Sequence, residues 1–227
     1  MTSVKHKRLR QDVIKACLTL NATGLNQGTA GNVSVRQGKG FLITPSGLAY
    51  ETMTPEQVVS MDLDCGYRGD WKPSSEWRMH TAIYRERPKA GAVVHVHSPY
   101  ATALSCLRRD IPAFHYMIGV AGGKSIRCAD YATMATEELS TAMMAALEDR
   151  SACLLANHGM VCFGPTLDKA LWLAGEVEAL CRQYWIASQV GEPVILDDAE
   201  MDRILEVFRT YGRQDASFSK GPIRRDS

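Results

Sequence analysis

Apolar residues recur every three or four positions near the start of the chain and then fall into short, β-prone runs. Residues 5–20 carry the helical spacing and predict an amphipathic helix. Residues 32–36 and 41–44 flank a glycine-rich turn, which predicts a β-hairpin. Thr54 followed by Pro55 marks a helix start, because threonine can cap free amides and proline suits the first helical position.

Helices and buried strands alternate through the rest of the chain. A helix opens at residues 74–76, ends before Pro88 and leads into a strongly β-prone run at residues 92–97. The remaining predicted elements are strands at residues 125–128, 152–156 and 159–163 and helices at residues 136–148, 167–190 and 199–211. From Gly212 onward the chain is polar and charged, which predicts a disordered tail over residues 213–227.

This order of elements predicts the fold class. The hairpins argue against a purely parallel sheet, so we expect a mixed, mainly antiparallel sheet covered on both faces by helices. A chain of 227 residues, of which 45% are hydrophobic, can bury one substantial core. We therefore predict a single-domain, three-layer α/β/α fold of the α/β class, spanning residues 1–212.

Composition argues against several classes of partner. The 26 basic and 25 acidic residues nearly cancel, so no overall field exists to bind a nucleic acid or an anionic membrane surface. No apolar run suits a signal peptide or a membrane span. The seven cysteines are scattered and never form a Cys-x-x-Cys pair, which is typical of reduced thiols. We expect a cytoplasmic protein in which a local site holds any anionic substrate.

The most specific chemical feature is the pair His95 and His97. Alternate residues of a strand point to the same side, so we expect both imidazoles on one face, about 6–7 Å apart along the chain. His158, after a buried run, offers a third imidazole at a strand end. Glu76 and His80 lie four apart on one helical face, and either is a candidate for a fourth ligand. Such groups suit zinc or a similar divalent ion, and core or interface histidines are the structural alternative.

Small polar residues next to glycines are a second feature. Glycine lets a backbone amide approach an anion, and hydroxyls donate hydrogen bonds, so such segments can hold a phosphate without Lys or Arg. An ordinary turn or helix cap also explains each segment taken alone. The candidate pairs are Gly31-Asn32, Ser46-Gly47 and Ser74-Ser75.

Taken together, six motifs in order along the chain resemble the class II aldolase family typified by L-fuculose-phosphate aldolase. The motifs are residues 28–36, 42–47, 73–78, 95–97, 111–116 and 157–159. The resemblance covers the chain from about residue 8 to Tyr211, and the combination is far more specific than any single motif.

The resemblance implies a metal site, a phosphate site and an assembly. The implied ligands of one Zn²⁺ per chain, with Co²⁺ or Mn²⁺ as alternatives, are Glu76, His95, His97 and His158. The implied phosphate-binding residues are Gly31, Asn32, Ser46, Gly47, Ser74 and Ser75. A homotetramer is also implied, with Tyr116 of a neighbouring subunit serving the aldehyde oxygen and with Phe208 and Tyr211 closing the site. Met134 replaces a phenylalanine of the fuculose-phosphate enzyme, which changes either the aldehyde pocket or only the packing.

The implied reaction is cleavage of a ketose 1-phosphate into dihydroxyacetone phosphate and an aldehyde, with Glu76 moving the proton at the nucleophilic carbon. The candidate substrates are L-fuculose, 5-deoxyribulose and 5-methylthioribulose 1-phosphate, and Met134 slightly favours the two with an apolar end. A lysine Schiff-base aldolase, a dehydratase on the same metal site and an adducin-like scaffold are the alternatives. Retention of the metal ligands and Tyr116 weighs against a scaffold.

Overall fold

Eight β-strands and six α-helices form the part of the chain that the computed structural model describes, residues 2–209. The strands are β1 (Asn32–Gln37), β2 (Gly40–Ile43), β3 (Val59–Asp62), β4 (Tyr67–Arg68), β5 (Ala92–Val96), β6 (Cys128–Ala129), β7 (Ala152–Leu155) and β8 (Gly159–Gly164). The helices are α1 (Thr2–Ala22), α2 (Trp77–Glu86), α3 (Pro99–Ser105), α4 (Glu137–Ala146), α5 (Leu167–Val190) and α6 (Asp198–Phe208). Short 3₁₀ helices cover Tyr50–Thr52, Pro55–Gln57 and Tyr116–Ala121.

All eight strands belong to one sheet, in the order β4-β3-β2-β1-β5-β8-β7-β6. The pairing of β6 with β7 is parallel, and the other pairings in this sheet are antiparallel. The predicted mixed, mainly antiparallel sheet is therefore confirmed. Antiparallel neighbours need only short connections. Short turns therefore join β1 to β2 and β7 to β8.

The central strand β5 shows how the layers arise, since all five of its residues are buried. Ala92, Val94 and Val96 pack with side chains of α1, α3 and α5 on one face of the sheet. Val93 packs with side chains of α2 and α4 on the opposite face. Alternate side chains leave a strand in opposite directions, so one apolar run contributes to both cores. Helices cover both faces, which confirms the three-layer α/β/α fold.

Two predicted elements differ from the structure. The helix start at Thr54 is confirmed by a capping box with Gln57, but the helix is a single 3₁₀ turn. The chain leaves this turn because β3 begins at Val59 and pairs with β2. The strand predicted at residues 125–128 is shorter and later, at β6, with Ile126 forming only an isolated bridge to Ile111.

Sequence reasoning also missed α3, the strand β3 and the edge strand β4. Ser98 followed by Pro99 was a usable signal for α3, because proline at the first helical position is a common helix start. The final helix was predicted at residues 199–211 and is present as α6. Residue 1 and residues 210–227 lie outside the described part of the chain, so Tyr211 and the predicted tail at residues 213–227 stay predictions.

The cysteines agree with the expectation of reduced thiols. All seven cysteines are free thiols, and four of them are buried. Burial raises the pKa of the Cys162 thiol, which keeps it protonated and unreactive. Among residues 2–209, no helix combines the length and the apolar character that crossing a membrane requires. The cytoplasmic location stays a prediction.

A remote carboxylate holds the start of α3, the helix that follows β5. Glu178 of α5 accepts hydrogen bonds from the Ser98 hydroxyl at 2.6 Å and from the backbone N–H groups of Tyr100 and Ala101, both at 2.9 Å. The first N–H groups of a helix have no partner inside it, and the helix dipole favours an anion there. Glu178 therefore fixes the path of the chain as it leaves β5.

Replacing Glu178 with alanine is expected to destabilise the fold, because three donors lose their acceptor at once. We expect a loss of about 2 kcal/mol in the free energy of unfolding, which corresponds to a fall in Tm of roughly 4–8 °C for a chain of this size. Thermal unfolding followed by circular dichroism measures the change. The matched control is Glu176→Ala on the same helix, and an equal fall in Tm for both variants would contradict the role of Glu178.

Candidate metal centre

Four side chains with metal-binding atoms converge where the central strands of the sheet end. His95 lies on β5 and His97 directly follows it, while His158 lies in the turn between β7 and β8. Glu76 is the residue just before α2, in its N-cap position. One ligand atom from each residue lies within 4.8 Å of the others. The structure therefore brings together the three histidines that the sequence suggested and Glu76, one of the two candidates for the fourth ligand.

The three imidazole rings stand edge to face around a common centre. Their ring centroids are 4.9 Å apart for His95 and His97 and 4.8 Å apart for the other two pairs, with interplanar angles of 72–76°. The Nε2 atoms of His95 and His97 are 3.0 Å apart. The Glu76 carboxylate places Oε2 3.0 Å from His95 Nε2 and Oε1 3.2 Å from His158 Nε2. The rings thus present their nitrogens to a common point.

Local backbone geometry brings His158 beside His97. In the turn between β7 and β8, Asn157 has a φ of 53°, a left-handed value that asparagine adopts more readily than most residues. Gly159 then passes very close to β5, where an added Cβ would lie 2.5 Å from the Val96 carbonyl oxygen and 3.0 Å from His97 Cδ2. The absence of a side chain at Gly159 is what permits this approach.

Hydrogen bonding leaves lone pairs facing one another in the centre. His95 Nδ1 donates to the Met160 carbonyl at 2.9 Å, which leaves Nε2 as the ring nitrogen that faces the cluster. Glu76 Oε1 is buried without a hydrogen-bond partner among the described residues. Acceptor atoms about 3 Å apart repel unless a cation lies between them. The residues therefore fit a divalent cation held by Glu76, His95, His97 and His158.

The charge states suit metal binding. Burial acts to raise the pKa of Glu76, but the nearby imidazoles of His95 and His158 outweigh it and hold that pKa below its usual range. Burial, together with repulsion by His95 and His158, lowers the pKa of His97 to about 4. At neutral pH the carboxylate is thus ionised and His97 is neutral, which are the forms that bind a cation.

The choice between Glu76 and His80 as fourth ligand is decided by tertiary contacts. His80 is fully buried, and its ring nitrogens contact Asn32 Oδ1 and Ser34 Oγ, each at 2.6 Å. Both nitrogens are therefore engaged away from the metal cluster. The amide of Asn32 donates in turn to Glu76 Oε2 at 3.1 Å. Sequence reasoning missed this contact, because Asn32 is distant from α2 along the chain.

The three predicted phosphate segments lie next to one another near the same strand ends. Residues 44–46 and 72–74 pair through two backbone hydrogen bonds, of 3.0 and 2.9 Å. The Thr44 N–H also donates to the carbonyl of Val33, the residue after Asn32, at 3.1 Å. These segments therefore form adjacent lengths of backbone beside the metal cluster.

Close contacts explain the glycine at position 31. A Cβ atom on Gly31 would lie 2.6 Å from the His95 carbonyl oxygen and 2.7 Å from Asn26 Oδ1. The Tyr50 hydroxyl donates to the Gly31 carbonyl and holds this backbone in place. Gly47, by contrast, has a φ of 68° and open space around it, so its backbone is accessible.

The three serines of these segments differ in exposure. Ser46 and Ser75 are exposed, and Ser74 is buried. The Ser74 hydroxyl oxygen accepts a hydrogen bond from the Glu76 backbone N–H at 3.3 Å. Ser74 is thus in direct contact with a residue of the metal cluster.

Three other predicted site residues, Tyr116, Met134 and Phe208, are partly or half exposed, and Tyr211 lies outside the described residues. Tyr116 begins a 3₁₀ helix and is 51% exposed, with its ring stacked on His115 at 4.8 Å between centroids and parallel to Phe208 at 6.4 Å. Met134 is also about half exposed, in the loop that leads into α4. This loop is tied to α2 by a hydrogen bond from Arg78 to the Ala135 carbonyl at 3.1 Å.

Comparisons with known proteins find relatives over most of the chain. The profile of the class II aldolase and adducin N-terminal domain family matches residues 11–185. A 5-methylthioribulose-1-phosphate/5-deoxyribulose-1-phosphate aldolase of Rhodospirillum rubrum is 54% identical, over 90% of this chain and 92% of that protein. An L-fuculose phosphate aldolase of Escherichia coli strain K12 is 49% identical, over 92% of this chain and 98% of that protein.

A solved structure extends the comparison to three dimensions. An L-fuculose 1-phosphate aldolase superposes with a TM-score of 0.86 at 41% sequence identity, covering 89% of this chain and 96% of that one. Similarity of this extent includes every segment that contributes to the metal cluster. The chain therefore belongs to the class II aldolase and adducin N-terminal domain family, as one of its aldolase enzymes.

Proposed function

We propose that this enzyme reversibly cleaves a ketose 1-phosphate into dihydroxyacetone phosphate and an aldehyde. The observation that carries the proposal is the metal cluster beside three adjacent polar backbone segments. A cation at the cluster and a phosphate at the segments would hold two ends of one short substrate. Such positioning lowers the barrier by fixing the reacting groups in advance.

The names of the relatives narrow the substrate class. The relatives are named for 5-methylthioribulose, 5-deoxyribulose and L-fuculose phosphates, which share a phosphate and a ketone and differ at the aldehyde end. We propose that the physiological substrate is one of the two with an apolar aldehyde end. Met134 supports this choice, because it is a flexible apolar side chain that is 54% exposed and so able to contact a ligand.

We propose that the cation is Zn²⁺, at one ion per chain. Three imidazole nitrogens and one carboxylate are ligands that zinc prefers. When bound, such an ion supplies Lewis-acid stabilisation for the negative charge that develops on the substrate as its carbon–carbon bond breaks. The phosphate-binding residues in this proposal are Gly31, Asn32, Ser46, Gly47, Ser74 and Ser75.

Glu76 is proposed to move the proton at the nucleophilic carbon. Its carboxylate is 4% exposed, and its low pKa keeps it ionised at neutral pH. A buried carboxylate beside the reacting carbon exchanges that proton without competition from bulk water. The backbone N–H of Glu76 is anchored on Ser74, which keeps this residue close to the proposed phosphate site.

Tyr116 is proposed to serve the aldehyde oxygen in the site of a neighbouring subunit. Its ring is 51% exposed, so its hydroxyl is available to a second chain. We propose that four chains assemble in this way, with each active site between subunits and with Phe208 and Tyr211 near its rim. The parallel packing of Phe208 against Tyr116 supports a shared location for these side chains.

Removal of divalent ions is expected to abolish cleavage, with a loss of about 100-fold or more. Elemental analysis of the purified protein should find about one ion per chain, and added Zn²⁺, Co²⁺ or Mn²⁺ should restore the rate. Release of dihydroxyacetone phosphate, measured before and after chelator treatment, provides the assay. Borohydride added with substrate serves as the control and should leave activity intact, and a metal-free protein with an undiminished rate would contradict the proposal.

Glu76→Gln and Tyr116→Phe are each expected to reduce turnover by about 100-fold or more, because each loses a proton-transfer group. If the two residues of one site come from different subunits, refolding the two variants together creates some sites with both native residues and restores part of the activity. The rate of the mixture, compared with each variant alone, measures this. Tyr67→Phe, on the exposed edge strand β4, is the matched control, and a mixture without recovery would contradict the shared site.

Acetaldehyde and methylthioacetaldehyde are expected to condense with dihydroxyacetone phosphate faster than lactaldehyde does. Met134→Phe should shift the ratio of rates toward lactaldehyde by about tenfold, since a change of side-chain shape in an apolar pocket has effects of this order. Competition among the three aldehydes with metal-loaded enzyme measures the ratio. An unchanged ratio in the variant would show that Met134 only fills space.

A further inference from the structure

A series of hydrogen-bonded polar side chains runs from the metal cluster into the core between β1 and α2. Asn32 Nδ2 donates to Glu76 Oε2 at 3.1 Å, and Asn32 Oδ1 lies 2.6 Å from His80 Nε2. Further inside, Ser34 Oγ lies 2.6 Å from His80 Nδ1 and 2.8 Å from the Tyr84 hydroxyl. All five residues are buried. Buried polar groups in a connected network fix one conformation when every member is satisfied.

The secondary structure sets the spacing of the side chains in this series. Asn32 and Ser34 are alternate residues of β1 and so leave the strand on the same face. His80 and Tyr84 lie one turn apart on α2, the helix that covers that face. The two strand residues therefore alternate with the two helix residues along the series. Glu76, just before α2, is the member next to the metal cluster.

Each hydrogen bond in the series from Glu76 to Tyr84 has a single allowed direction. A carboxylate only accepts, so Asn32 turns its N–H group toward Glu76 and its carbonyl toward His80. Burial, with a smaller effect of His95, lowers the pKa of His80 to about 3, so the ring is neutral and has one N–H group. That group donates from Nε2 to Asn32, and Nδ1 accepts from Ser34. The Ser34 oxygen then accepts from Tyr84, which completes the series.

We propose that His80 is a positioning residue, which acts through Asn32 to hold the Glu76 carboxylate in its orientation toward the metal cluster. Without the donor on His80, the Asn32 amide is free to turn and to present its carbonyl oxygen to the carboxylate, where two acceptors would repel. Partners of metal ligands typically change metal affinity or activity by about 10–100-fold when they are lost. The catalytic part of this inference rests on the proposed function, and the part on metal affinity does not.

Two substitutions separate the donor function of His80 from its packing. Glutamine places its amide nitrogen near the position of the imidazole Nε2, so His80→Gln keeps a donor to Asn32. Asparagine reaches only the position of Nδ1, so His80→Asn keeps the contact with Ser34 and loses the donor. Tyr84→Phe removes a hydroxyl at the far end of the series and leaves the donor on His80 in place.

Zn²⁺ affinity, measured by competition with a chelator, is the main readout. His80→Asn is expected to bind Zn²⁺ about tenfold more weakly, and His80→Gln and Tyr84→Phe are expected to stay within about threefold of the native protein. The visible absorption spectrum of the Co²⁺-substituted protein should change in His80→Asn alone, because it reports the geometry of the ligands. The kcat for the ketose 1-phosphate should fall about tenfold in His80→Asn, with a change in KM below about threefold.

Equal losses of Zn²⁺ affinity in His80→Asn and His80→Gln, or no loss in either, would overturn the proposal. Asn32→Ala is a second variant for the case in which His80→Asn does not fold, since it removes the same donor from Glu76. It is expected to lose Zn²⁺ affinity about tenfold as well, and an unchanged affinity would count against the proposal. If the native protein cleaves no sugar phosphate but the affinities follow the expected order, the proposed function fails and the positioning role of His80 stands.

Discussion

Lone pairs that face one another repel, and the active site of this aldolase is built on holding several of them together. Glu76 Oε2 and His97 Nε2 each lie 3.0 Å from His95 Nε2 in a buried part of the molecule. Water cannot screen this repulsion, so the backbone must fix these atoms, and a divalent cation turns the repulsion into attraction. The fold therefore maintains a site whose favourable energy is realised only when the ion is bound.

The antiparallel sheet supplies the required rigidity. β5 lies in the middle of the sheet, paired with β1 on one side and β8 on the other, and its residues are buried. Gly31 and Gly159 let the neighbouring backbones approach β5 more closely than any side chain would allow. Glu178 then fixes the segment that follows His97. The buried strand β5 and the tight turn between β7 and β8 thus hold the imidazoles, which suits a site that must keep its geometry.

Much of the fold could be predicted from local patterns. The 3.6-residue spacing in α1, the buried run of β5 and the proline that follows α2 depend only on neighbours in the chain, so these three elements were found with ends shifted by a few residues. The edge strand β4 consists of two exposed residues, Tyr67 and Arg68, and has no apolar pattern to detect. Its existence depends on pairing with β3, which is an interaction between segments and not a property of either one.

The sequence by itself determined which residues are candidates for the metal chemistry. The alternation of His95 and His97 on a strand and the position of His158 after a buried run pointed to three candidate ligands, and helical spacing left Glu76 and His80 as candidates for the fourth. Only the tertiary structure decided that Glu76 reaches the metal cluster while His80 turns inward to Asn32. Both side chains occupy the same helical face, and spacing along a helix cannot distinguish them. The difference arises from what lies opposite each one, because partners across a buried interface come from distant parts of the chain and are chosen only when the layers pack.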